Sequence, residues 1–203
     1  MSFAHLHVHT EYSLLDGSNK IREYVKRVKA LGMTAAAITD HGVMYGVVDF
    51  YKECLSAGIN PVIGCEVYVA PGSRFDRESS VGEDRYSHLI LLAENDVGYH
   101  NLIKIVSRGF TEGFYYKPRI DRDLLAQYHE GLICLSACLA GEVQKNILRG
   151  LPDEAQAAAL RYRDCFGDGN FFLEMQDHGL AEQRTVNMEL MKMRKELNIP
   201  LVV

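Results

Sequence analysis

The sequence predicts an α/β fold built on a parallel sheet or barrel, and three observations carry that reading. Strand-like and helix-like periods alternate about seven times along the 203 residues. The strand segments are apolar on both faces, as strands are when helices cover a parallel sheet. No glycine-rich phosphate turn follows the first strand, where a doubly wound sheet would place one. A βα barrel, with its working residues at the C-terminal ends of the strands, is the architecture to test.

Residues 3–9, FAHLHVH, alternate and read as the first strand, with His5, His7 and His9 on one face. SNKIREYVKRVKALG follows as a helix: Ile21, Tyr24, Val25, Val28 and Leu31 recur at helical spacing, Ser18 or Asn19 can cap its start, and Gly32 can end it. TAAAIT (34–39) is a short buried strand, YGVVDFYKECLSAG a helix closed by Gly58, and PVIGCEVYVA the next strand. The polar stretch PGSRFDRESSVGEDRYS reads as a long loop before the strand HLILLA (88–93) and a helix from Asp96 to Gly109. FTEGFYYKPRI is aromatic and irregular, a short helix begins at Asp121, and GLICLS (131–136) is a strand. Helices over 141–149 and 153–166, the strand NFFLEM, a Met- and Leu-rich helix over 181–197 and the strand start PLVV follow.

With 47% hydrophobic residues the chain can bury one sizeable core, so residues 1–203 are expected to form a single domain. The net charge of -5, from 27 acidic and 22 basic residues, excludes a protein that grips nucleic acid by bulk charge. A phosphate substrate would need another source of positive charge, and divalent ions are the obvious one. The five cysteines (Cys54, Cys65, Cys134, Cys138, Cys165) are scattered and form no CxxC pair, which fits a reducing, cytoplasmic setting. No apolar run approaches a membrane span, and none follows a basic N-terminal segment, so no membrane partner is expected.

Residues with metal-ligand chemistry fall at the expected rim. His7 and His9 end the first strand, Asp16 lies in the loop behind it, Asp40 and His41 follow the second strand, Glu66 lies where the third would reach the rim, and Cys138 follows the strand at 131–136. His88 begins its strand, and would return to that rim if CEVYVA and SHLILLA ran antiparallel. Imidazole, carboxylate and thiolate suit zinc and its first-row relatives better than magnesium or calcium. So many ligands imply two or three clustered divalent ions, with Asp16 and Glu66 as natural bridges, and such clusters favour phosphoester hydrolysis. Asp16, Glu66 and Asp40 are the candidate catalytic carboxylates, Asp40 by orienting His41 through a hydrogen bond. Cys65 faces away from Glu66, into the core. Lys117 and Arg119 are candidate phosphate contacts, and His178, just past a strand, a candidate substrate contact.

Taken in order, HLHVHTEYSLLDG, AAAITDHGVMYGVVDFY, GINPVIGCEVYVAPGSRFDR, SHLILLAENDVGYHNLIKIVSRG, EGFYYKPRID, GLICLSACLAGE and FFLEMQDHG resemble the polymerase and histidinol phosphatase (PHP) domain. The resemblance covers essentially the whole chain and is closest to the branch carried at the N-terminus of bacterial replicative DNA polymerases. It implies a distorted seven-stranded βα, TIM-like barrel with two to three ions (Zn, Mn or Fe) at its C-terminal rim. The implied ligands are His7, His9, Asp16, His41, Glu66, His88 and Cys138. It also implies a metal-dependent 3'-5' exonuclease acting on a DNA 3' end. The implied partners are the remainder of the polymerase chain, the proofreading exonuclease subunit and the replicase holoenzyme. The family pattern closes on an Asp and a His in a stretch resembling TNDxH, before which this sequence stops at NIPLVV. The chain therefore reads as a domain truncated before the last ligand motif, with the polymerase domains absent. Two other functions fit the family: a docking module without hydrolysis, and a free-standing phosphatase of small phosphomonoesters.

Overall fold

A computed structural model describes residues 3–77 and 85–203. After a 3-10 turn at Glu11–Asp16 come α1 (Ile21–Ala30), β1 (Ala35–Ile38), α2 (Val47–Ala57), β2 (Asn60–Val69), β3 (Ser87–Ala93) and α3 (Asp96–Thr111). β4 (Phe114–Tyr115), β5 (Lys117–Ile120), α4 (Arg122–Tyr128), β6 (Leu132–Leu135) and α5 (Glu142–Leu148) follow. α6 (Pro152–Phe166), β7 (Phe171–Glu174), α7 (Ala181–Leu197) and β8 (Leu201–Val202) close the series. The strands form one sheet in the order β4-β5-β2-β3-β6-β7-β8, with β1 paired to the first half of β2. This curled eight-stranded sheet forms a half-barrel, consistent with the distorted barrel that the resemblance implies, with one strand more than the seven expected.

Strand alternation sorts the side chains into two cores. Leu89, Leu91, Cys134, Phe171 and Leu173 point outward into a layer shared with the helices. Ile90, Leu92 and Leu135 point inward, where Leu6, Val62, Ile133, Phe172 and Val202 join them to fill the interior. α1 and α2 close over β1 through Ile21, Val25, Val28, Phe50 and Cys54. The interior is packed rather than open, so polar residues gather at its rim.

Two expectations change and one open alternative is decided. β3 runs antiparallel to both β2 and β6, the arrangement that returns His88 to Glu66. The described residues of its connection to β2 include no helix of the kind that returns a chain parallel. Residues 3–9 do not form a regular strand. Ala37 N–H donates to the His5 carbonyl (3.2 Å) and Thr39 N–H to that of Val8 (2.8 Å), so three residue steps oppose two and the segment bends as at a bulge. The irregular stretch after α3 contains the hairpin of β4 and β5, turned by Tyr116 at φ 63°.

The remaining elements match closely. α2 ends on Gly58 in the left-handed region, whereas α1 follows Lys20, which gives it no side-chain cap, and Asn19 turns instead to the His9 carbonyl. The expected long loop after β2 falls partly on 78–84, outside the described residues. Its described part is fixed by Arg74, which bonds Asp121 and Glu112.

Candidate metal centre

Glu66 is the hub of the site. Pleating turns its neighbours Cys65 and Val67 into the helix-covered core and leaves Glu66 buried on the inner face of β2. The His7 Nε2 atom lies 3.2 Å from its Oε1, with His88 Nδ1 at 3.0 Å and Cys138 Sγ at 3.8 Å. His9 Nε2 stands 3.7 Å from Oε2, and His41 Nδ1 abuts the same oxygen. Burial alone would raise the Glu66 pKa, but the imidazoles of His41, His7 and His88 overcome it and hold the carboxyl far below its usual range. It is an anion at any ordinary pH.

The backbone delivers these groups. Glu66 N–H donates to the Asp40 carbonyl (3.1 Å) and Gly42 N–H to that of Glu66 (2.8 Å), which sets His41 beside Glu66. Gly42 has φ +65°, and a Cβ there would sit 2.9 Å from both Pro118 and Tyr68. His88, opposite Tyr68 in the antiparallel register, donates its N–H to the Ala140 carbonyl (2.9 Å), drawing in the loop that carries Cys138. That loop turns at buried Ala137, φ 65°, steadied by Gln144 Nε2 donating to the Ala137 carbonyl at 2.9 Å. Cys138 Sγ then lies 3.7 Å from His88 Nδ1.

Second partners fix the rings. His7 Nδ1 faces Glu174 Oε1 at 2.7 Å, so this nitrogen carries the proton and Nε2 points at Glu66. Burial lowers the His7 pKa, but Glu174 and then Glu66 outweigh it and raise it to about 10. Ser13 Oγ donates its only proton to Asp40 (2.7 Å), so His9 Nδ1 must donate to Ser13 (3.2 Å) and keep its Nε2 lone pair inward. Burial, with His41 and His7 nearby, lowers the His9 pKa to about 4 against the pull of Glu66. Burial beside Glu66 pushes the Cys138 thiol up to about 12.

These donors suit a divalent cation. His41 Nδ1 and Glu66 Oε2 are buried and close, yet neither finds a hydrogen-bond partner among the described residues. Two groups of three could each hold an ion, His7–His9–Glu66 and His41–Glu66–His88, each with ligand atoms within 4.8 Å of one another. They share Glu66, as a bridging carboxylate would be shared.

Not every expected residue stands where the sequence suggests. Asp16, its side chain 71% exposed, meets the other nitrogen of His41 (3.2 Å to Nε2), whereas Glu66 is the carboxylate that both groups of candidate ligands share. Asp40 does not bond the His41 ring: its buried carboxylate accepts from Thr10 N–H (2.6 Å), Thr10 Oγ1 (2.7 Å) and Ser13. It therefore acts through the 3-10 turn, where Ser13 Oγ also accepts the His41 N–H (3.1 Å). Arg119 is buried, its guanidinium donating to the carbonyls of Gly113, Arg74 and Asp76, which removes it from any phosphate. His178 is exposed and hydrogen-bonded to Gln183, with no contact to the Glu66 cluster. Lys117 stays at the rim, Nζ 5.3 Å from the Tyr68 ring centre. His5 points outward against Phe3. Sequence reasoning missed Glu174, although an inward carboxylate ending an apolar strand is the signal that picked out Glu66. It also missed Ser13, for which nothing in the pattern speaks.

The PHP domain family profile matches residues 5–178. The chain belongs to the PHP domain family. This PHP domain is 52% identical over its full length to DNA polymerase III subunit alpha of Treponema pallidum and 46% identical to that of Thermus aquaticus. It spans only 17% of the length of either relative. Among solved structures it resembles a Bifidobacterium adolescentis protein described as a metal-dependent phosphoesterase, with TM-score 0.61 and 16% identity over 98% of this chain and 85% of that one. It also resembles a Chromobacterium violaceum amidohydrolase, with TM-score 0.54 and 14% identity over 98% and 84% of the two chains. At those identities the likeness concerns the PHP fold. No helix among the described residues is long and apolar enough to cross a membrane.

Proposed function

We propose that this chain is a metal-dependent phosphodiesterase domain of a bacterial replicative polymerase, removing nucleotides from a DNA 3' end. The observation that carries the reading is the convergence of His7, His9, His41, His88 and Cys138 on one buried carboxylate, Glu66. His7, His9 and Glu66 would hold one divalent ion, and His41, Glu66 and His88 a second, with Cys138 beside them; Zn, Mn or Fe fits these donors. Bound there, such ions would supply the positive charge that an acidic protein lacks, acidify water and neutralise a phosphodiester.

The chain's own residues do the rest. Ser13 accepts the Nδ1 proton of His9 and leaves its Nε2 lone pair free, while Glu174 holds the Nδ1 proton of His7, whose Nε2 proton a bound cation would displace. Asp16, exposed at the rim, would accept a proton from the attacking water. Lys117, standing over Tyr68 at the rim, would meet a phosphate oxygen. In the reaction a water oxygen forms a bond to phosphorus while the bond to the penultimate 3' oxygen breaks. That oxygen takes a proton, giving a shortened strand with a 3'-hydroxyl and a nucleoside 5'-monophosphate. Residues 1–203 would act as one domain, in the cytoplasm, joined to the rest of the polymerase chain and adjacent to the proofreading subunit.

The test is hydrolysis of a labelled primer with a mismatched 3' end after loading with Zn, Mn or Fe. Mononucleotide release that is lost in Glu66→Gln and His9→Ala supports the reading. Failure of the loaded protein to cut any phosphodiester overturns it, and faster turnover of small phosphomonoesters than of DNA would favour a phosphatase.

A further inference from the structure

We propose that the rim beside the metal centre carries a binding strip for unpaired nucleotides, formed by Tyr86, Tyr116, Arg85 and Lys117. This rests on the phosphodiesterase reading for the identity of its ligand, a single-stranded DNA 3' end. The strip begins at the candidate ligands. Tyr68 stacks on His41 (6.1 Å between centroids, 16° between planes), and Tyr86 lies parallel to His88 (5.9 Å, 10°). Tyr68 and Tyr86 meet edge to face at 4.9 Å. Lys117 stands over Tyr68, and the next residue along in each segment continues outward as a pair, Arg85 Cζ lying 4.3 Å from the Tyr116 ring centre.

Three features point to nucleotides. The protein is acidic overall, yet Arg85 and Lys117 have no carboxylate partner among the described residues, while the cluster they adjoin is built around an anion. Alternating cations and aromatic faces are what single strands use, phosphates meeting the charges and bases the rings. Tyr116 is 63% exposed and holds φ 63°, a conformation that glycine adopts freely and tyrosine does not. A large aromatic kept at a turn that favours glycine is explained by use of its ring.

That conformation supplies a variant that should keep the fold: Tyr116→Gly relieves the turn while removing the ring. The double variant Tyr116→Gly/Arg85→Gln, the wild type and a distant charge-matched control, Lys26→Gln, are compared by fluorescence anisotropy with a labelled single-stranded oligothymidylate in EDTA. The proposal expects weaker binding by about tenfold or more for the double variant, with the control within about twofold of wild type. A double variant that binds as the control does, or a wild type that binds no oligonucleotide, overturns it. Hydrolysis assayed separately keeps the two readings apart. Strip-dependent binding without cleavage under any metal defeats the phosphodiesterase, whereas cleavage with no effect of the double variant on oligonucleotide KM defeats the strip.

Discussion

Replacing Glu174 by Gln leaves an oxygen beside His7 Nδ1 but removes the charge that fixes that proton. The expected result is a metal affinity lower by about 10- to 100-fold, the usual range for an orienting partner of a ligating imidazole, with an unchanged circular dichroism spectrum. Competition against a chromogenic chelator measures it, and equal affinities would contradict the role. The same ring governs the pH dependence of the metal-free protein. His7 titrates near 10 when folded and near 6.5 when unfolded, so its stabilisation is complete below 6.5 and is lost as pH rises toward 10. His9, depressed to about 4, is the reverse: the unfolded state takes up its proton first, and stability falls as pH drops from 6.5 toward 4. Glu66, held far below its usual range, adds to the loss on acidification. Denaturant titrations in EDTA should therefore show a maximum near pH 6.5, and a steady rise from pH 5 to 9 would contradict these environments. The residues that gather around Glu66 could be picked out because the sequence pattern places most of them at one rim. Ser13 and the altered role of Asp40 were not, because a hydroxyl in a turn shows its partner only after the chain has folded.

At the scale of elements, the 3-10 turn Glu11–Asp16 decides whether His9, His41 and Asp16 share one rim. Asp40 accepts three hydrogen bonds there, all from Thr10 and Ser13. Asp40→Ala strands those buried donors and should destabilise the protein by about 1–3 kcal/mol or more, lowering its melting temperature and loosening metal binding together. Loss of binding with no change in melting would show that Asp40 reaches the site another way. The helices were readable to within a residue or two because Val25, Val28 and Phe50 recur on single faces. Residues 3–9 misled because alternation signals an extended chain without recording the extra residue that bends it. The direction of β3 stayed open in the sequence, because a polar connection does not state which way the strand after it runs.

For the whole molecule, an apolar interior lies beneath a polar rim, so ion binding and folding draw on one structure. Ions that bind only the folded state at a hundredfold excess over Kd add about 2.7 kcal/mol, and EDTA should lower the melting temperature by about 5 to 10 °C. Glu66 is shared by two groups of candidate ligands, and ion binding should therefore depend on it. The most direct test is elemental analysis of metal per chain in the wild type and Glu66→Gln, after equilibration with Zn or Mn and removal of excess. Wild-type chains should hold about two or more ions and the variant fewer than about one, with the fold retained. A wild type that holds no ion, or a variant that holds as many as the wild type, would contradict it.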